Sequence, residues 1–318
     1  MQISLLEPIG ITEGQIEALA AEFRKAGHCF TYYDQKTTDV AELKRRSKNQ
    51  DIVMIANNPY PDEVIYASEQ LKMIAVAFTG IDHVGLQACK ERNVMVCNCA
   101  GYSNQSVAEL AIGMTIGLYR QITGCEAAVR TGKTSAGLTG REIAGKKVGI
   151  IGCGQIGLQT AKLFQAFGAE VFAYARHPKA EWQEAGVAAC ELEDLLETSD
   201  IVSLHLPLNQ ETRGFFSEEL IGKMKPGSVF INCARGPIVD NAALATALNE
   251  GRIAGAAIDV FDMEPPIPAD DPLVCAKHTL LTPHVAFLTK EAMIRRARIE
   301  FDNVLAFLEG EPVNVCGL

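Results

Sequence analysis

The sequence predicts an α/β protein made of two doubly wound domains, each built on a parallel sheet. Three observations lead there. Short apolar runs alternate with longer helical patterns almost from end to end, the mark of strands joined by crossover helices. At 318 residues the chain is about twice an ordinary domain of about 150 residues. Apolar residues make up 48% and charged residues 21%, enough to bury substantial cores and too apolar for disorder.

Five strands are expected in the first hundred residues. They are ISLLEP (3–8), CFTYYD (29–34), DIVMIA (51–56), MIAVAF (73–78) and VMVCNC (94–99). Segments between them, such as GQIEALAAEFRKAG, carry apolar residues at helical spacing. One long helix is expected over 106–129, with Ser103 near its start. A second series of strands follows: KKVGIIG (146–152), EVFAYA (170–175), DIVSLHLP (200–207), SVFINCA (228–234), GAAIDVF (255–261) and TLLTP (279–283). Six strands with intervening helices match a dinucleotide-binding sheet. A last helix, about 289–309, cannot make a domain alone and is expected to pack back on the first. The boundaries are therefore 1–100 plus 285–318 for one domain and 101–284 for the other.

Charge narrows the function classes. The formal net charge of −10, from 39 acidic and 29 basic residues, argues against a nucleic-acid surface or an anionic membrane surface. No signal peptide is read at MQISLLEPIG, and no stretch reaches the length of a membrane span. The 10 cysteines lack zinc-site spacing, so no metal is expected. Reduced thiols in a cytoplasmic protein are the plain reading.

VGIIGCGQIGLQTAKLF carries Gly152, Gly154 and Gly157 as GxGxxG, directly after a strand and opening a helix. In that context the first glycine permits the tight turn and the second admits a pyrophosphate to the backbone. The third lets helix and strand pack closely. Where dinucleotide sites that take NAD usually end the next strand with an acid, this chain has Ala175, followed by Arg176, His177 and Lys179. A guanidinium there suits a 2′-phosphate, so NADP is preferred, with NAD kept open because these cations also fit a solvated edge.

Three further segments follow strands of the second sheet, where such sheets bind ligands. INCARGPIVD places Arg235, which can grip a carboxylate with two parallel hydrogen bonds or else anchor its own loop. AIDVFDMEPP gives Asp259 and Glu264, the latter readable in isolation as a solvated loop carboxylate. LLTPHVAF gives His284, readable in isolation as a turn histidine. His205, inside an apolar strand, reads as structural, and packing is the better reading of His83 and Cys153.

These motifs together resemble the D-isomer-specific 2-hydroxyacid dehydrogenases. The resemblance runs from FTGIDHVGLQACKERNVMV (78–96) and GYSNQSVAE (101–109) through the glycine turn and SDIVSLHLPLNQET (199–212). It continues in MKPGSVFINCARGPIVD (224–240) and AAIDVFDMEPP (256–266) and ends at TPH (282–284). It implies a Rossmann dinucleotide-binding domain inserted in a flavodoxin-like substrate domain, and a homodimer formed partly through 106–129. It also implies interconversion of a small 2-keto acid and a D-2-hydroxy acid. His284 is then the acid/base and Arg235 holds the carboxylate. Glu264 orients the imidazole and stabilises its charged form. Thr79, Gly80 and Tyr102 are implied substrate contacts. Dinucleotide contacts are implied at Gly152, Gly154, Gln155, Ile156, Gly157, Ala175, Arg176, His177, Leu206, Pro207, Thr212, Cys233, Ala234, Asp259 and His284.

After His284 the chain departs from the small residues many relatives carry, with Val285, Ala286, Phe287 and Leu288. Phe287 either shapes the pocket or fills a core. Two other functions share the scaffold: a dinucleotide-sensing regulatory protein, and a dehydrogenase of another small anion such as phosphite.

Overall fold

The computed structural model describes residues 1–264 and 266–317. Its contacts divide the chain into two compact units, Met1–Ser103 with Leu288–Leu318, and Asn104–Phe287. These junctions fall slightly beyond the sequence-based boundaries at both crossings.

The first unit holds five parallel strands: β1 (Gln2–Leu5), β2 (Cys29–Tyr32), β3 (Ile52–Ile55), β4 (Met73–Val76) and β5 (Met95–Asn98). Their order, β2-β1-β3-β4-β5, is that of the flavodoxin-like fold. β3 and β4 are buried at every position, which is why IVMI and MIAV read as continuous apolar runs rather than alternating ones. The first helix, Glu13–Lys25, is started by a capping box between Thr12 and Gln15.

The chain's final helix, Lys290–Glu309, completes this unit. The Thr289 side chain caps its N-terminus, and Gly310 ends it in the left-handed region at φ 85°. Phe301 stacks on Phe23 at 5.2 Å between ring centres and meets Phe30 at 5.7 Å. Arg296 donates to the Ile9 carbonyl at 2.6 Å, and Asn303 to the Asn98 carbonyl at 2.8 Å. A C-terminal segment thus builds the core of an N-terminal unit.

The second unit carries a seven-stranded parallel sheet. Its strands are β6 (Lys147–Ile151), β7 (Glu170–Tyr174), β8 (Ala188–Ala189), β9 (Ile201–Leu204), β10 (Val229–Asn232), β11 (Gly255–Ile258) and β12 (Thr279–Leu281). The order is β12-β11-β10-β9-β6-β7-β8, so the chain reverses direction between β6 and β9 as in a Rossmann sheet. The two-residue β8 lies outside the expected set; a strand that short leaves no periodicity to read. Two apolar cores flank the sheet, one containing Leu204, Phe216 and Phe230, the other Val148, Phe164 and Trp182.

The helix expected over 106–129 is two helices, Asn104–Tyr119 and Ile122–Arg130. Between them Gln121 sits at φ 48° in the left-handed region. The break has a local cause. Arg141 donates its backbone N–H to the Tyr119 carbonyl at 2.8 Å, taking the acceptor the next helical turn would have used. Gln121 in turn donates its side-chain amide to the Thr139 carbonyl at 3.0 Å. The apolar periodicity survives such a kink, so sequence alone reads straight through it.

Candidate active site

The second sheet delivers its chemistry at the carboxyl ends of its strands. After β6 the chain turns through Gly152 at φ 89°, a conformation few side chains adopt. A Cβ there would also lie 2.8 Å from the His205 backbone. Gly157 packs against the same turn, its missing Cβ only 2.4 Å from the Gly152 carbonyl oxygen. Gly154 differs, because nothing lies within 4 Å of where its Cβ would be. The turn is closed on the protein side and open above Gly154, and the helix Gln155–Ala166 starts there with its first amides free of intrahelical acceptors. Gln155 is exposed and Ile156 partly so. This cradle fits a dinucleotide pyrophosphate by shape and by helix-end polarity.

Ala175, Arg176 and His177 follow β7. Arg176 is 61% exposed and pairs with Glu211 at 2.7 Å. A groove beside it is lined by Tyr174, Ala175, Arg176, Pro178, Cys190 and Asp194. Leu206 and Pro207 follow β9. Thr212 is 6% exposed and spends its hydroxyl inside that loop, donating to the Pro207 carbonyl at 2.6 Å. That bond holds the loop's shape.

The candidate reacting groups follow three adjacent strands. Asn232 at the end of β10 donates its side-chain amide to the Arg235 carbonyl at 3.1 Å and accepts from the Ala234 N–H at 2.9 Å, folding the loop that displays Cys233, Ala234 and Arg235. The Arg235 guanidinium donates to the Ala234 carbonyl at 2.8 Å. Burial pushes the Cys233 thiol well above its ordinary range, so it stays an uncharged wall. Gly236 then lies against the loop after β11: a Cβ there would sit 2.1 Å from the Phe261 carbonyl carbon. Sequence reasoning passed over this glycine, although its place directly after Arg235 was the available signal.

His284 follows β12. Its Nδ1 lies 2.7 Å from Glu264 Oε1, the two side chains being 24% and 20% exposed. That contact engages Nδ1, so a proton exchanged with a ligand would pass through Nε2. The His284 backbone has φ 53°, and its N–H donates to the Asp259 carbonyl at 2.8 Å. Phe287 sets its ring edge-on to the imidazole, 5.5 Å between centres and 87° between planes.

Asp259, expected at the dinucleotide, is tied to the His284 loop. It is fully buried, and its carboxylate accepts from the Thr282 hydroxyl at 2.5 Å and from the Val285 and Ala286 N–H groups, each at 2.9 Å. It splints the His284 loop from beneath. Burial raises its carboxyl above the usual range, and the three donated hydrogen bonds oppose that shift.

In the first unit, Thr79 and Gly80 follow β4 and are partly exposed. The Thr79 hydroxyl is buried without a hydrogen-bond partner, and its carbonyl accepts from Asn98 at 2.8 Å. Tyr102, expected as a substrate contact, is 1% exposed, with Phe78 at 6.1 Å and the Arg296 guanidinium at 5.9 Å from its ring. It is a core residue, and burial pushes its hydroxyl up to about 12. His205 bonds Ser203 at 2.9 Å and is driven down to about 4 by burial, as a structural histidine is. Among the described residues, no cluster of three or more His, Cys, Asp or Glu could hold a metal, and no helix is long and apolar enough to cross a membrane.

A glycine-rich turn open above Gly154 on a reversed parallel sheet, with a paired histidine and an arginine at the ends of β12 and β10 on either side of β11, is the arrangement of a nicotinamide-dependent oxidoreductase. Residues 112–286 match the family described as D-isomer specific 2-hydroxyacid dehydrogenase, NAD binding domain. The chain is 34% identical over 322 residues to a hydroxypyruvate reductase of Blautia hydrogenotrophica, covering 99% of each sequence. It superposes on a glyoxylate reductase from Paecilomyes thermophila with TM-score 0.89 and 26% identity, covering 99% of this chain and 98% of that one. It also superposes on an acyclic imino acid reductase in complex with NADPH and D-Arg, with TM-score 0.89 and 28% identity over 100% of each. The chain belongs to the D-isomer-specific 2-hydroxyacid dehydrogenase family. It is an oxidoreductase that uses a nicotinamide dinucleotide on small 2-keto or 2-hydroxy acids.

Proposed function

We propose that the protein reduces a short 2-keto acid, glyoxylate or hydroxypyruvate first among them, to the D-2-hydroxy acid, with NADPH preferred over NADH. The His284–Glu264 contact at 2.7 Å is the observation that carries the reading, since it pairs an imidazole through Nδ1 with a carboxylate that orients the ring. The bound dinucleotide supplies hydride to the carbonyl carbon. Nε2 of His284 delivers the proton that turns the carbonyl oxygen into the product hydroxyl, and Glu264 keeps the ring oriented. Arg235, on the loop after the neighbouring β10, holds the substrate carboxylate as a bidentate partner. Thr79, with its unpartnered buried hydroxyl, and Gly80 are candidate anion contacts of the first unit. The names of the reductases described above support the choice of acids.

Arg176 supports the cofactor preference. Its partner Glu211 is 65% exposed, and such a surface pair contributes about 0–1 kcal/mol, so a 2′-phosphate can displace it at small cost. A homodimer using the surface around 106–130 belongs to the same proposal, with sedimentation as its test.

Initial rates of NADPH and NADH oxidation against glyoxylate, hydroxypyruvate, pyruvate, 2-ketoisocaproate and phenylpyruvate test this reading. Turnover with a short acid that disappears in Arg235→Ala and His284→Ala is expected. Absence of turnover with all five, in protein that binds the dinucleotide, would overturn it in favour of a sensor or another anion.

A further inference from the structure

The single tryptophan of the chain, Trp182, lies in the short helix Ala180–Glu184 after β7 and is 2% exposed. A buried indole has one N–H to satisfy and no acceptor of its own. Trp182 gives that proton to the backbone carbonyl of Cys153, at 2.8 Å. Cys153 is the residue between the first two glycines of the phosphate turn, and its side chain is 2% exposed.

The geometry of a trans peptide turns this contact into a statement about the opposite edge. The carbonyl of one residue and the N–H of the next point in opposite directions within one rigid plane. With the Cys153 oxygen drawn inward to the indole, the Gly154 N–H faces the other way. That is the side on which Gly154 is exposed and its missing Cβ meets nothing within 4 Å. The preceding residue is fixed as well, since the Gly152 N–H donates to the Tyr174 carbonyl at 2.9 Å. Trp182 is itself held from behind, its carbonyl accepting from the Val187 N–H at 2.8 Å.

We infer that Trp182 is a positioning residue of the dinucleotide site, which presets the Cys153–Gly154 peptide so that the phosphate turn is already in its binding conformation before the pyrophosphate arrives. It reaches no ligand atom itself. Its segment begins directly after Arg176, so the loop proposed to read the ribose phosphate and the turn that takes the pyrophosphate are tied by one side chain. The inference rests on the reading of this turn as the dinucleotide site. A preset turn lowers the ordering cost of binding and leaves the chemical step alone.

The test uses full-length protein in two forms. Trp182→Phe removes the donor, and replacement of Trp182 by 3-benzothienylalanine removes only the N–H while keeping the bicyclic volume. In a chain with one tryptophan, residue-wide incorporation alters position 182 alone. Calorimetric binding of NADPH, NADH and ADP-ribose, which carry the pyrophosphate, is compared with binding of adenosine 2′-monophosphate, which lacks it. Loss of one hydrogen bond to a turn carbonyl is expected to weaken the three pyrophosphate ligands by about fivefold to tenfold. Binding of adenosine 2′-monophosphate should be unchanged, as should kcat at saturating dinucleotide. Unchanged ADP-ribose affinity in the benzothienyl protein, equal weakening of all four ligands, or a fall in kcat alone would overturn the inference. Wild-type protein that binds neither dinucleotide would instead remove the cofactor reading beneath it.

Discussion

At the scale of single residues, the site is built by pairing each reactive side chain with a neighbour that restricts it. His284→Ala is expected to lower kcat by about 10²–10⁴-fold, the range of a lost general acid. Glu264→Gln, which keeps the shape and removes the charge, should lower it by at least about tenfold with the fold intact by circular dichroism. Arg176→Ala should raise the KM for NADPH by about 10–100-fold and leave that for NADH nearly unchanged; equal effects would sink the NADP preference. Glu300 gives a stability prediction. It is fully buried, both its carboxyl oxygens lack hydrogen-bond partners, and burial holds its carboxyl well above the usual range. A folded-state pKa above the unfolded one means that the native protein binds more protons there. Stability therefore falls as pH rises from the unfolded value near 4.5 toward the folded one. Glu300→Gln should flatten that slope, read as a thermal midpoint that gains on wild type as pH rises above about 4.5.

At the scale of elements, the loops after β10, β11 and β12 act as one assembly. Gly236 is where two of them touch, so Gly236→Ala should displace the Arg235 and Glu264 loops against each other. The expected outcome is a loss of activity of about 10²-fold, the usual consequence of a 1 Å misplacement. An active Gly236→Ala enzyme would show that the Phe261 backbone can yield. This is also the scale at which sequence reading was strongest and then stopped. Strands such as IVMI and MIAV stand out because, buried on both faces, they are continuous apolar runs. Arg235, Glu264 and His284 stood out because each follows such a run. The break at Gln121 did not, since its cause is the Arg141 N–H, remote in sequence. The burial of Asp259 and Tyr102 was not legible for a related reason. A motif gives a residue's address along the chain, while burial depends on what folds over it, here the Thr282–Ala286 loop and the Phe78 ring with Arg296.

At the scale of the whole molecule, the first unit closes only when the end of the chain arrives. Phe301, 1% exposed between Phe23 and Phe30, is the centre of that closure. Phe301→Ala should cost about 3–5 kcal/mol, visible as a lowered denaturation midpoint. Dinucleotide binding, proposed for the turn in the other unit, should persist in Phe301→Ala under conditions where the second unit is still folded. The return of the last helix was legible as a logical necessity, because a lone helix cannot bury its apolar face. The particular stack of rings was not, since any apolar residue satisfies the periodicity.

The backbone of His284 carries a further consequence. A side chain in the left-handed region costs about 1–2 kcal/mol that glycine, and largely asparagine, escapes. Put to a directed-evolution screen that rewards heat resistance alone, this position should drift to Gly or Asn, and on the role proposed for His284 each gain in survival temperature would come with a loss of turnover. The histidine at 284 thus marks a point where durability and usefulness pull the same codon in opposite directions.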